Sequence, residues 1–112
     1  MSYFNSHLGL EPGATPGSIA LTTKPEHLVA ADTIHFAVLT TMAEVAAAGS
    51  VAAPVVPASI NVNLLSRVRP GRLEARGTLV KRGSRLAVAE GEVFQDGRLV
   101  AKATITFAIM GG

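Results

Sequence analysis

The apolar rhythm of the chain changes part-way along it. From Ile34 to Ala53 the sequence IHFAVLTTMAEVAAAGSVAA is apolar at nearly every position and rich in Ala, the strongest helix former, before Pro54 closes it. One long helix is expected there. Between Phe36 and Ala48 its polar side chains are Thr40, Thr41 and Glu44, which lie three and four residues apart and share one narrow face. A helix apolar on its other faces is a buried helix. After Pro57 the pattern takes a period of two: Ile60, Val62 and Leu64, then Leu73, Ala75 and Leu79, then Leu86 and Val88, then Leu99, Ala101, Ala103, Ile105 and Phe107. These are read as inward positions of four successive strands. Pro70-Gly71, Gly83-Ser84 and Asp96-Gly97 mark the turns, the last a strong hairpin signal. An earlier strand is expected over Ser18 to Lys24, ended by Pro25. Residues 1–17, with Gly9, Pro12, Gly13, Pro16 and Gly17, read as an irregular arm. The sum is an α+β fold, one long central helix wrapped by an antiparallel sheet of about five strands.

Composition narrows the possibilities. A length of 112 residues suits one domain spanning 1–112. Charged residues are only 16% of the chain, too few to cover so small a body, so apolar surface is expected to be buried against another subunit. A net charge of +2, with the Lys and Arg residues scattered, gives no reason to expect a nucleic-acid partner. With no cysteine there is no disulfide, thiol nucleophile or thiolate metal site, and His7, His27 and His35 lack zinc spacing, so no metal is expected. The start lacks the pattern of a signal peptide, and no apolar run reaches the ~20 residues of a membrane span. A cytoplasmic protein with no membrane contact is the expectation.

Specific chemistry enters with the segment Pro25 to Glu44, PEHLVAADTIHFAVLTTMAE. It resembles the signature of PaaI-like hotdog thioesterases, in which a His-Gly-Gly turn opens the central helix and an acidic residue follows nine positions after the His. His35 and Glu44 stand at that separation. The stretch INVNLLSRVRPGRLEARGTLVKRGSRLAVAEGEVFQDGRLVAKATITF resembles the family's Arg-Pro, Arg-Gly-Arg and Asp-Gly strand pattern, so the likeness covers most of the chain. Glutamate in place of the commoner aspartate is similar to 4-hydroxybenzoyl-CoA thioesterases of one hotdog subfamily and to the YiiD-like group. The sequence departs from the pattern at the turn, where His35-Phe36-Ala37 replaces the small pair. The resemblance implies a hotdog fold, hydrolysis of an acyl-CoA or aryl-CoA thioester, no cofactor other than coenzyme A as part of the substrate, and a homodimer or homotetramer.

Thioester hydrolysis needs a group that attacks or activates water and a donor for the oxyanion. Glu44, poorly solvated in an apolar helix, is the candidate base or nucleophile. The Ala37 amide, in the first turn of that helix, is the candidate oxyanion donor, and His35 orients the turn or the carbonyl. Phe36 is a candidate substrate contact at the turn where the thioester carbonyl should lie, and Thr40, Thr41 or Asn61 are candidates to hold a water near Glu44, although Asn61 alternates with the apolar face of its strand and reads equally as solvent-exposed. The turn Lys81-Arg82-Gly83-Ser84-Arg85 offers cations and backbone amides suited to the phosphates of coenzyme A, with Arg69 a further cation of that kind. The competing reading is a non-catalytic hotdog domain that binds acyl-CoA or serves as a dimeric scaffold, with Glu44 a paired structural acid, Phe36 filling the carbonyl site and the basic turn a solvated hairpin tip.

Overall fold

Small residues decide how closely the long helix can approach the sheet. A Cβ on Gly77 would overlap the Ala46 carbonyl oxygen, and one on Gly91 the Ala43 carbonyl oxygen, so at both points strand backbone lies directly against helix backbone. Ala43, Ala46 and Ala47 from the helix, and Ala75, Ala87, Ala89, Ala101 and Ala103 from the strands, are buried around these contacts. Larger side chains complete the same core, where Leu21, Met42, Leu73, Ile105 and Phe107 have no exposed surface.

The computed structural model describes residues 3–111. In order it contains α1 (Phe4–Leu8), β1 (Glu11–Pro12), β2 (Ile19–Thr22), a 3-10 turn (Pro25–His27), β3 (Leu28–Ala30), β4 (Thr33–Ile34), α2 (Phe36–Val51), β5 (Val55–Leu64), β6 (Arg72–Arg82), β7 (Leu86–Gln95) and β8 (Arg98–Ile109). Six strands form one sheet in the order β1-β2-β6-β7-β8-β5, each neighbouring pair antiparallel, and α2 packs on one face. The strands β3 and β4 pair separately as a short ribbon just before the helix. Its entry is held from two sides: Ile34 N–H donates to the Val68 carbonyl (2.8 Å) and His35 N–H to the His27 carbonyl (2.9 Å). The long helix packed on one face of a six-stranded antiparallel sheet is the hotdog arrangement.

Several details differ from the sequence expectations. The sheet has six strands where about five were expected, because Glu11 and Pro12 add a short outer strand beside Ile19 and Ala20. The stretch read as an irregular arm therefore carries a five-residue helix and this strand; its residues 1 and 2, with residue 112, lie outside the described residues. On β7 the inward phase is Ala87, Ala89, Gly91 and Val93, whereas Leu86 is 54% exposed. Apolar size pointed to Leu86 and Val88, but the close helix admits only the smaller set. Leu79 is also exposed, next to the irregularity where the pairing with β7 shifts between Leu79 and Lys81. On β8 a similar shift lets both Val100 and Ala101 be buried in succession.

Strand β5 ends the sheet, bonded only to β8. Ile60 and Val62 pair with the buried Ile105 and Ala103 and so point to the helix side. Even so, Ile60 and Leu64 remain 43% and 49% exposed, since no further strand or helix covers them. An apolar edge of this kind is a template for another chain.

Candidate active site

The first turn of α2 is arranged by His35. This residue is the N-cap, with extended backbone (φ −62°, ψ 138°), and its Nδ1 accepts the Ala37 N–H at 2.9 Å. A neutral imidazole that accepts at Nδ1 carries its proton at Nε2, leaving Nε2–H as a donor. The Phe36 ring stacks on this imidazole with centroids 4.6 Å apart and planes 27° apart, and its side of the turn is open to solvent. The Ala37 amide is thus committed to the cap, which corrects its expected role as the open oxyanion donor. The neighbouring Phe36 N–H makes no hydrogen bond among the described residues, and it is the unpaired donor at this helix start.

Glu44 lies farther along the same helix, half-buried, with Thr41 and Ala48 on its side. Among the described residues it forms no ion pair and no hydrogen bond. Loss of water alone pushes its carboxyl upward from the ordinary value. Thr40 Oγ1 donates to the Phe36 carbonyl at 3.1 Å and is spent within the helix, whereas Thr41, three residues before Glu44, makes no such bond among the described residues. Of the two threonines, Thr41 is the one whose hydroxyl is uncommitted among the described residues.

An open groove of about 330 Å³ adjoins the helix start, lined by Val29, Ile34, Phe36, Leu39, Leu64 and Val68 together with Thr33, Ser66 and Arg67. Phe36 forms part of its wall. Asn61 is not brought to the site: it pairs with Thr104, while its neighbours Ile60 and Val62 take the helix side, so its side chain is on the opposite face of the sheet. The basic turn Lys81–Arg85 is at the other end of α2. Its Arg82 donates Nη1–H to the Val51 carbonyl at 2.7 Å, capping the last turn of the helix, and this occupies the cation expected to meet phosphate. Gly83 N–H closes the turn on the Leu86 carbonyl at 2.8 Å, and Ser84 and Arg85 are exposed. Arg69 lines a polar cleft of about 470 Å³ with Ser66, Arg67 and Arg98. Sequence reasoning missed this grouping, because Arg67 and Arg98 are far apart in the chain and meet only through the antiparallel pairing of β5 with β8.

The sequence model of the acyl-CoA thioesterase N-terminal domain matches residues 24–108, which include both the helix start and Glu44. The chain belongs to this thioesterase family. Among solved structures it is similar to a mutant of the phenylacetic acid degradation protein PaaI from Thermus thermophilus, with 30% identity, 96% of this chain and 98% of that chain covered, and a TM-score of 0.83. A phenylacetic acid degradation-related protein from Ralstonia eutropha shares 26% identity over 94% of this chain and 88% of its own, with a TM-score of 0.83. The BH2602 protein from Bacillus halodurans, solved with CoA, is 21% identical, covers 98% of this chain and 77% of its own with a TM-score of 0.85, and shows the fold alone. Among curated proteins none matches. No described helix is long and apolar enough to cross a membrane.

Proposed function

We propose that this thioesterase-family chain hydrolyses an acyl-CoA or aryl-CoA thioester in a site shared by two copies, Glu44 from one and the helix start from the other. The observation that carries the reading is Glu44 itself, a half-buried carboxylate without a partner among the described residues, pushed upward by burial. A structural acid would be paired or hydrogen-bonded; an unpaired one is suited to take a proton or to attack. Ionised Glu44 either deprotonates the attacking water or adds to the thioester carbonyl itself. Negative charge then forms on the carbonyl oxygen. The Phe36 N–H, at the positive end of α2, donates to that oxygen, and His35 Nε2–H is a second donor on the same turn.

The length of the helix supports a site shared by two copies. Phe36 and Glu44 are eight residues apart, a rise of roughly 12 Å, which a glutamate side chain does not span. Two copies joined through β5 with their helices antiparallel would place each Glu44 beside the other's helix start. Joining the β5 edges would also cover Ile60 and Leu64. The substrate is the only carrier of coenzyme A in this scheme, and no further cofactor takes part in it. A cytoplasmic location remains part of the proposal.

The test is hydrolysis of short, long and aromatic acyl-CoAs by the protein and by Glu44→Gln, followed through release of free thiol. The chain has no cysteine, so the assay carries no protein background. A loss of about a hundredfold or more in the variant is expected. Equal rates for the two proteins would refute the role of Glu44, and turnover by neither would favour an acyl-CoA-binding or scaffolding domain.

A further inference from the structure

We infer that His27 is a positioning residue for the helix start, a role that rests on the thioesterase reading for its effect on turnover. Among the described residues the buried polar side chains are Ser18 and His27, the latter 5% exposed. A polar ring in such a place costs free energy unless it is bonded, and an apolar side chain would fill the space without that cost. The ring of His27 folds a turn. Its Nδ1 accepts the Lys24 N–H at 3.0 Å while its own backbone N–H donates to the Lys24 carbonyl at 2.9 Å, so the two residues close the 3-10 turn from both sides. As at His35, the neutral ring then carries its proton at Nε2.

This turn stands between two fixed points. On one side Thr23 N–H donates to the Gly71 carbonyl at 2.9 Å and Gly71 N–H donates to Thr23 Oγ1 at 2.7 Å, which pins the end of β2 to the β5–β6 connection. On the other side the His27 carbonyl receives the His35 N–H at 2.9 Å, and His35 in turn takes the Ala37 N–H and leaves the Phe36 N–H free. The His27 carbonyl, together with the Val68 carbonyl that holds Ile34, therefore sets where the Phe36 amide points. Without the Nδ1 contact the Lys24 N–H has no other partner among the described residues, and the turn is free to tilt about its anchor at Thr23.

Two replacements in the full chain test the inference. His27→Asn keeps an acceptor, because its Oδ1 falls where Nδ1 lies, whereas His27→Gln carries its amide out toward the Nε2 position and loses that acceptor. In acyl-CoA hydrolysis His27→Asn should hold kcat within about threefold of wild type, and His27→Gln should lower it by about tenfold or more with KM changing little, since substrate still binds but its carbonyl meets a displaced donor. A side chain that only filled space would give the reverse order, because glutamine is nearer to histidine in size. Amide exchange followed by NMR reads the geometry without turnover: the His35 N–H should exchange about as slowly in His27→Asn as in wild type, and about tenfold or more faster in His27→Gln. Nitrogen shifts of the wild-type His27 ring need no variant and should show Nδ1 unprotonated at neutral pH. A proton on Nδ1 would overturn the inference, as would equal His35 exchange in the two variants or, where wild type turns over, equal kcat. The exchange difference without turnover by any of the three proteins would refute the hydrolase reading and leave the role of His27 standing; turnover indifferent to both replacements would do the reverse.

Discussion

At Glu44, stability and activity oppose each other. Its ionised form has lost water in the fold and keeps it in the unfolded chain, so the folded carboxyl binds its proton more tightly. The sign follows by linkage. Below the ordinary carboxylate range both states are protonated and the group has no effect; as pH rises through the raised folded value, stability is lost. Glu44→Gln should therefore be more stable than wild type near neutral pH, with the gap closing at about pH 4 or below, as urea unfolding at several pH values would show. Activity has the opposite slope. If Glu44 acts ionised, kcat/KM rises with pH along a limb displaced upward from an ordinary carboxylate, and that limb disappears in the variant. His35→Ala should cost about 1 kcal/mol through the lost N-cap, measured by the same unfolding. The spacing of His35 and Glu44 was readable because it needs no tertiary information. Which amide stays free was not: it depends on the rotamer that turns His35 Nδ1 onto Ala37 instead of leaving that amide open.

Among the elements, contact between α2 and the strands beneath it controls stability. Gly77→Ala and Gly91→Ala each put a methyl group into helix backbone, and a cost of about 1–3 kcal/mol or more is expected from chemical unfolding, against no loss for Gly49→Ala, an open position within α2 with ordinary helical backbone. That contrast checks the depth at which the helix is seated. The helix and its succession of strands were legible, since an alanine-rich apolar run followed by a period of two has few other solutions. The phase of β7 was not legible from hydrophobicity. Leu86 and Val88 are the more apolar choice, and they yield to Ala87, Ala89 and Gly91 because the helix leaves no room for branched side chains over Gly91. Arg82 shows the same limit: a charge in a glycine turn reads as a ligand contact, and only the fold reveals the Val51 carbonyl it caps.

For the whole molecule, the distance between Phe36 and Glu44 and the uncovered β5 edge both point to a second copy. Ile60→Glu should convert the protein to monomer in analytical ultracentrifugation and remove turnover along with assembly, although Ile60 is far too exposed in one chain to cost much stability there. Composition already indicated such surface, through the scarcity of charged residues, but could not place it on β5. The shared site itself is tested most directly by complementation. Phe36→Pro removes the helix-start N–H at a position where proline is well tolerated, with His35 already in the extended conformation that proline requires of its predecessor. Phe36→Ala, which keeps the amide, controls for loss of the ring. Phe36→Pro and Glu44→Gln homo-oligomers should each be inactive, and refolding equal amounts together should restore about a quarter of wild-type turnover, because random pairing gives half mixed dimers with one intact site each. Recovery at that level is what a site built across two copies predicts. Mixed dimers that form and remain inactive would contradict it.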